Sequence, residues 1–403
     1  MKKYFLLFLL AVSCPIILHG QHNSQWRGEN RDGVYHETGL LKEWSSSGPQ
    51  MLWAYQDLGD GYTSPAIANG KIYITGLTGR NLTLYVLDLQ GRLLQSKVIG
   101  RERTEQYPGP RSTVTVDDGK LYIYNAIGNL WCLDGATLDV VWTKDLFRDF
   151  DGRSIRWGVN ESPLIVGDKI FMTPGGRRNN VVALNKNTGA LIWSSQGMRS
   201  ESTYCSPQYI AGYAVPMIVT STERYIIGLN ANTGELLWSH SQTNTHNIHP
   251  NTPLYSNGMI LSTTGYRGGT VMLRLTNNGR GVEQVWKTRD MDNQMGGVVK
   301  VGDYVYAGGH QNRFWFCLEW NTGRVMYRER ELAGSSVIYA DGMMYVYTDR
   351  GVVYLVRPNH ERLEVVSSFR VTLGTNEHWA HPVIHDGVLY IRHGDALMAY
   401  NIR

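Results

Sequence analysis

The sequence predicts an all-β fold: a single eight-bladed β-propeller of four-stranded antiparallel blades, the last blade closed by a strand from the N-terminal end. Three observations carry this. A strand–turn–strand text, VALNKNTGALIW from Val182 to Trp193, recurs along the chain with a period of roughly 45 residues, the blade length of four-stranded propeller repeats. A second regular hairpin precedes each copy. The final repeat stops one strand short, and a matching strand stands near the beginning.

In the type repeat, alternating Val182, Leu184 and then Leu191, Trp193 flank Asn-Lys-Asn-Thr-Gly, where Gly189 supplies the positive φ of the turn. Versions occur at Ile226 to Trp238, Leu130 to Trp142, Phe316 to Tyr327 and, more loosely, Leu84 to Gln95. The preceding hairpins start at Ser64, Ser112, Ser162, Ser206, Thr252, Gly296, Ser335 and His381. Two hairpins per period give four strands, and one such sheet cannot bury both its faces alone. The last repeat ends at Ala399 to Arg403 after its third strand. GPQMLWAY, Gly48 to Tyr55, offers the fourth, with Leu52-Trp53 standing where Ile192-Trp193 stand in the type repeat. Pairing the two ends removes both open edges of the ring.

The pattern LxxxTGxxxW resembles the tryptophan-docking repeat of pyrroloquinoline-quinone (PQQ) type propellers, the superfamily of quinoprotein alcohol dehydrogenases and the outer-membrane assembly lipoprotein BamB. Within it the chain is most similar to compact bacterial PQQ-like or polyvinyl-alcohol-dehydrogenase-like proteins. That likeness rests on QWRGENRDG (Gln25 to Gly33), RWGVNESPLI (Arg156 to Ile165), MTPGG (Met172 to Gly176) and GGVVKVGDYVYAG from Gly296. The resemblance implies a fold rather than an activity, because the superfamily holds enzymes and scaffolds alike. It raises PQQ with Ca²⁺ as a cofactor, which this sequence disfavours. The adjacent-cysteine pair that quinoprotein dehydrogenases carry over the cofactor is missing. A compact blade set also leaves little room for the extra loops, carboxylate base and Ca²⁺ ligands. No cofactor is expected. The likeness to BamB lies in the blades rather than in partner-binding loops, so an envelope protein partner is an alternative and not a reading of the residues.

At the N-terminus, Lys2-Lys3 and the apolar run Tyr4 to Leu18 read as a secretory leader over residues 1–20, cut near Gly20. Ala11 to Cys14 is a loose lipobox, which leaves a lipidated outer-membrane form as the minority alternative. Either way the protein is expected outside the cytoplasm, periplasmic or secreted, with no transmembrane span. Residues 21–47 are rich in turn formers and predict an irregular segment packed on the ring, with Trp26 anchored in a groove between blades or, as the alternative, serving as a ligand platform. Residues 48–403 are the propeller. Cys132, Cys205 and Cys317 come from different blades and read as buried free thiols. The net charge of +4 falls close to neutral without Lys2 and Lys3, and no basic run or base-stacking motif argues for nucleic acid. A monomer is expected.

Function is sought in the loops. The connections into each first strand and those joining second to third strands share one face. The other face carries short turns such as Asn187-Thr188-Gly189 and Asp117-Asp118-Gly119. The first face holds Tyr62, Arg111, Arg156, Trp157, Glu161, Arg199, Tyr204, His246, His249, His310, Arg313, His378 and His381, the ligand-binding candidates. Arginine pairs with carboxylate, sulfate or phosphate, and Trp and Tyr rings offer flat faces to sugars, so an acidic carbohydrate fits both. A His base such as His249 or His381, with Tyr204 or Tyr62 as acid, would suit β-elimination or hydrolysis of a uronate-containing glycan. No HExxH motif or helical His spacing supports a metal. Three readings follow: a binding propeller, a glycan-active enzyme on the same face, and a PQQ-dependent dehydrogenase.

Overall fold

The computed structural model describes residues 24–403; the expected leader, with Cys14, lies outside them. Eight antiparallel four-stranded sheets follow one another along the chain and around a ring. Blade 3 gives the plan, from the channel outward: strand A Leu164–Val166, B Lys169–Met172, C Val181–Asn185 and D Leu191–Ser195. In blade 8, Val383–His385, Val388–His393 and Ala396–Asn401 are completed by Met51–Tyr55, with Trp53 opposite Ala399 and Ala54 opposite Met398. The ring closes as the repeat pattern predicts. Its core lies between blades, where facing sheets interdigitate: Tyr122, Cys132 and Trp142 of blade 2 meet Ile170, Met172, Val182 and Leu184 of blade 3.

The tryptophan ending each repeat is the spacer between blades. Trp142 donates its indole N–H to the Lys186 carbonyl in the C–D turn of blade 3, at 2.9 Å. Trp193, Trp286 and Trp53 do the same to Ala231, Trp320 and Leu89 of the next blades, at 3.1, 2.9 and 2.9 Å. The indole covers the turn glycine so closely that a Cβ on Gly189 would come 2.9 Å from Trp142. Gly189 is therefore needed twice, for its left-handed φ of 69° and for the close approach. In every blade, strand D has a one-residue bulge immediately before this position. The bulge bends the outermost strand and blunts an edge that would otherwise template pairing with another chain.

Four joints depart from the rule, since blades 6 and 7 carry Tyr327 and Ser367 at the position after the bulge and two others differ in their contacts. Gln95 replaces the tryptophan in blade 1, and its Nε2 donates to the Ala136 carbonyl at 3.4 Å. Trp238 keeps its indole, but its buried Nε1 has no partner. The turn it faces in blade 5 is a 3₁₀ turn, Asn277–Gly279, with Asn277 and Asn278 left-handed, in place of the Asn-Thr-Gly type.

Near the channel the blades are laced by hydroxyls. Thr113 N–H donates to Ser162 Oγ at 3.0 Å, Ser162 N–H to Ser206 Oγ at 2.9 Å, and Ser64 N–H to Thr113 Oγ1 at 3.3 Å. Ser64 Oγ donates to the His381 carbonyl at 3.0 Å, which carries the lacing across the closure from blade 8 to blade 1. The serines and threonines that open the repeats are thus lateral ties as well as strand starts.

Residues 24–33 do not lie on the ring. They form a loop inserted in its channel. Val116 N–H donates to the Ser24 carbonyl and Tyr339 N–H to the Gly33 carbonyl, each at 2.8 Å. Val116 and Tyr339 occupy equivalent places in strand A of blades 2 and 7, so the loop begins and ends at one depth. Between them, Gly33 N–H returns to the Arg27 carbonyl at 3.0 Å. The Arg27 guanidinium is buried and donates to the carbonyls of Val298 (2.6 Å) and Val337 (3.1 Å), in blades 6 and 7. Arg31, equally buried, donates across the channel to Ser162 (3.1 Å), Pro207 (3.2 Å) and Pro163, in blades 3 and 4. Burial lowers Arg27 to about 10 and Arg31 to about 9, so both stay charged at neutral pH. Beyond the loop, Val34–Tyr35 pairs parallel with Tyr339 and Ala340, Glu37 accepts Asp386 N–H at 2.6 Å, and Trp44 packs on Phe369. The chain so crosses beneath blades 7 and 8 to the strand that closes the ring.

Arg31→Met strands the carbonyls of blades 3 and 4 and is expected to cost about 3 kcal/mol or more in urea unfolding. Trp142→Phe, which loses an indole hydrogen bond, is expected to cost about 1 kcal/mol more than Trp238→Phe, which has none to lose.

Candidate functional site

A cavity of about 350 Å³ opens at the funnel end of the channel, above the inserted loop. Its walls come from the connections that enter strand A and from the B–C loops, the face singled out by the repeat register. Tyr62, Asn160, Tyr204, Pro250, Gln294 and Trp379 all line it, and each stands two residues before the start of an inner-strand repeat. That offset recurs because strand A begins at one depth in every blade. The residue two places earlier then turns toward the axis.

The wall is predominantly aromatic. On the side of blades 1, 2 and 8, Trp379 lies between Tyr62 and Tyr107, with ring centroids 5.1 and 4.9 Å away. On the side of blades 3, 5 and 6, Trp157 is nearly parallel to Tyr266 (11°, 6.5 Å), and Tyr266 meets His310 edge-on at 4.7 Å. Trp26 of the inserted loop forms the floor. Its ring packs on His381 at 4.5 Å and its Nε1 donates to Thr252 Oγ1 at 3.2 Å.

One arginine lines this space. Arg111 donates Nη2 to the Tyr107 carbonyl and lies over the Tyr62 ring at 5.9 Å, while its buried Nη1 has no partner. Burial pulls its pKa down, countered by the neighbouring Tyr204 and Glu102. Glu102 uses Oε1 to accept the N–H groups of Arg103 (2.6 Å) and Ala126 (3.1 Å), leaving Oε2 buried and idle; burial raises it to about 7.

The remaining predicted residues divide by placement. Tyr62, Arg111, Trp157, Tyr204, His310 and His381 line the cavity. Arg156, over the Trp157 ring at 4.7 Å, and His246, edge-on to Tyr266 at 4.5 Å, form an exposed rim. Arg199 is exposed and bonded to Gln196, and Arg313 is paired with Asp349 at 2.7 Å. Glu161 is buried outside the cavity, accepting Thr173 N–H (2.8 Å) and Oγ1–H (3.1 Å) near Arg31, and burial raises it to about 8. His378 stacks on His393 at 3.7 Å, and Tyr347 donates to its Nδ1 at 2.6 Å. The expected cationic funnel is therefore an aromatic cup with one arginine in its wall. The other guanidiniums face solvent, carboxylates or main chain, because a loop's charge count does not say which way its side chains turn.

The histidines proposed as bases are committed to the fold. His249 is buried outside the cavity and donates Nε2–H to the Glu223 carbonyl at 3.1 Å; burial lowers it to about 4. His381 donates Nε2–H to the Met295 carbonyl at 2.6 Å, so its bare Nδ1 accepts from Arg27 Nη1 at 3.1 Å. Burial, then the Arg27 charge, lowers His381 to about 3. Both nitrogens of His381 are engaged, and the one unpartnered nitrogen, His249 Nδ1, is sealed in the protein away from the cavity lining. Tyr107, Tyr266 and Trp379 complete the wall without having been singled out as ligand residues, and Trp26, the alternative platform, lies at its floor. The two-residue offset would have found Trp379.

A family model described as outer membrane protein assembly factor BamB matches residues 83–297 and 139–363. The chain belongs to this family. It is a PQQ-like propeller of the quinoprotein alcohol dehydrogenase-like superfamily. The quinoprotein ethanol dehydrogenases of Pseudomonas aeruginosa and Pseudomonas putida are 36% and 30% identical to it over 92 residues, 23% of this chain and 14% of theirs. Thus the matched stretch spans about a seventh of those relatives. Among solved structures, BamB from Moraxella catarrhalis superposes with a TM-score of 0.65 at 14% identity, covering 88% of this chain and 99% of that one. Quinohemoprotein alcohol dehydrogenase from Comamonas testosteroni gives 0.69 at 12% identity, over 95% and 80%. At such identities the likeness is one of fold.

The buried histidines set a pH response. The folded chain keeps His249 neutral down to about 4, whereas an unfolded histidine takes up its proton near 6.5. The stability this ring contributes is present above pH 6.5 and lost on acidification toward 4. His249→Gln, which keeps a donor for the Glu223 carbonyl, is expected to flatten the fall of the urea midpoint across that range.

Proposed function

We propose that this protein is an exported envelope propeller whose funnel cavity binds a small acidic saccharide. The observation that carries the reading is Arg111, the one guanidinium among the residues lining a predominantly aromatic cavity, whose Nη1 has no partner in the protein. A buried charged donor left unpaired is costly, and a carboxylate is its natural complement. Tyr and Trp faces accept the apolar faces of sugar rings, while Asn160 and Gln294 supply polar groups to fix orientation. The volume suits one or two sugar rings. Export is supported by the N-terminal basic and apolar pattern and by the family's description as an outer membrane assembly factor. Among the described residues no helix is long and apolar enough to cross a membrane.

Binding is favoured over bond breaking because His249 is buried outside the cavity and both nitrogens of His381 are engaged, by the Met295 carbonyl and Arg27. The quinone cofactor of the named dehydrogenases was tested against the donor set. The side chains lining the cavity include no carboxylate, and among the described residues no three His, Cys, Asp or Glu gather as a metal site. Calcium takes six or more oxygen ligands, carboxylates foremost. The cavity does not fit a calcium-held quinone, and no redox step is drawn through it.

The test is calorimetric titration with paired acidic and neutral oligosaccharides, digalacturonate and digalactose first, on the wild type and Arg111→Gln. The wild type is expected to prefer the acid, and the variant to bind it about ten-fold or more weakly, the worth of one charged hydrogen bond. Equal affinity for acid and neutral sugar, or an unchanged Arg111→Gln variant, sinks the reading.

A further inference from the structure

The floor of the cavity is not made by the blades. It is carried in by the loop of residues 24–33, and its placement is more elaborate than channel filling requires. Arg27 and Arg31 already satisfy the inner strands on opposite sides and are themselves buried. Trp26, between Gln25 and Arg27, differs from both arginines in remaining partly exposed, toward the cavity. Its orientation is locked at two points: the indole N–H on Thr252 Oγ1 before blade 5, and the ring edge on His381 before blade 8. His381 is held in turn by Met295 on one nitrogen and Arg27 on the other. The residue that pins the loop in the channel thus also fixes the imidazole on which the tryptophan rests. Gly296 keeps the adjoining floor open, since a Cβ there would come 3.4 Å from His381 and 3.7 Å from Trp26. A tryptophan with an anchored N–H, a ring packed on His381 and partial exposure to the bottom of an aromatic cup is placed to act as a stacking platform.

We propose that Trp26 is the ligand-stacking floor of the site, so that the inserted loop is part of the binding machinery and ligand occupancy and loop docking reinforce each other. This rests on the reading of the cavity as a saccharide site. The ligand class it adds is a ring with a flat C–H face, laid on the indole while its acidic group reaches Arg111. Because the loop is docked in the bound state, whatever ligand binds there stabilises docking by the same free energy that docking contributes to binding.

The experiment uses the whole exported chain with digalacturonate and digalactose as probes. Titrations compare wild type, Trp26→Ala and Trp26→Phe, and hydrogen exchange follows the amides of residues 24–35 with and without the sugar. The expected result is a ten-fold or greater loss of affinity in Trp26→Ala, substantial recovery in Trp26→Phe, and slower loop exchange on ligand addition in the wild type. Trp26→Phe keeps an aromatic face without the indole N–H, so it separates stacking from anchoring should the alanine variant unfold. Wild-type affinity in Trp26→Ala, or loop exchange indifferent to bound sugar, overturns the proposal and leaves the saccharide reading standing. Failure of the wild type to bind either sugar overturns that reading and this proposal with it.

Discussion

The inner edge of the ring is the constraint on which the rest depends. Seven of the eight A strands face the channel with no strand beside them, that of blade 7 being partly covered by Val34–Tyr35, and buried main-chain polar groups must find partners. Water cannot serve all of them in a narrow channel, so the chain supplies its own answer. Serine and threonine hydroxyls tie neighbouring blades where the strands begin, and two guanidiniums reach out from a central loop to the remaining carbonyls. Arginine suits the task because its planar fork addresses several acceptors at once and keeps its charge when desolvated. Once the channel is filled this way, its open end is left as a cup with a defined base, and a site exists.

At the outer edge the problem is reversed, and the answer is repeated rather than unique. Each D strand bulges before its tryptophan position, bending the exposed edge and aiming the indole at the next blade. The outward residues this leaves, such as Leu52, Leu94, Val141 and Ile192, are exposed apolar side chains on consecutive blades. The same sequence feature therefore spaces the blades and accounts for the apolar character of that rim.

What could be read from the sequence was whatever the repeat enforces. Blade number and the closing strand follow from period and register, and both are seen. The inserted loop was not legible, because QWRGENRDG occurs once and its arginines look like wet charges until their carbonyl partners are known. The direction of single side chains was likewise hidden. Tyr62 and Arg111 turn inward, whereas His249 and Glu161, chosen on the same grounds, are folded into the wall and serve Glu223 and Thr173. Spacing reports depth along the axis, and the direction of each side chain is decided by partners in its own or the adjacent blade, such as Thr173 for Glu161 and Glu223 for His249.

The loop of residues 24–33 begins and ends at the same level of the channel, held at Ser24 by blade 2 and at Gly33 by blade 7. It is therefore a bight pushed in from one side and not a strand drawn through a hole. Over the described residues its docking joins blades on opposite sides of the ring without dividing any sheet, so that the plug braces the torus across its diameter.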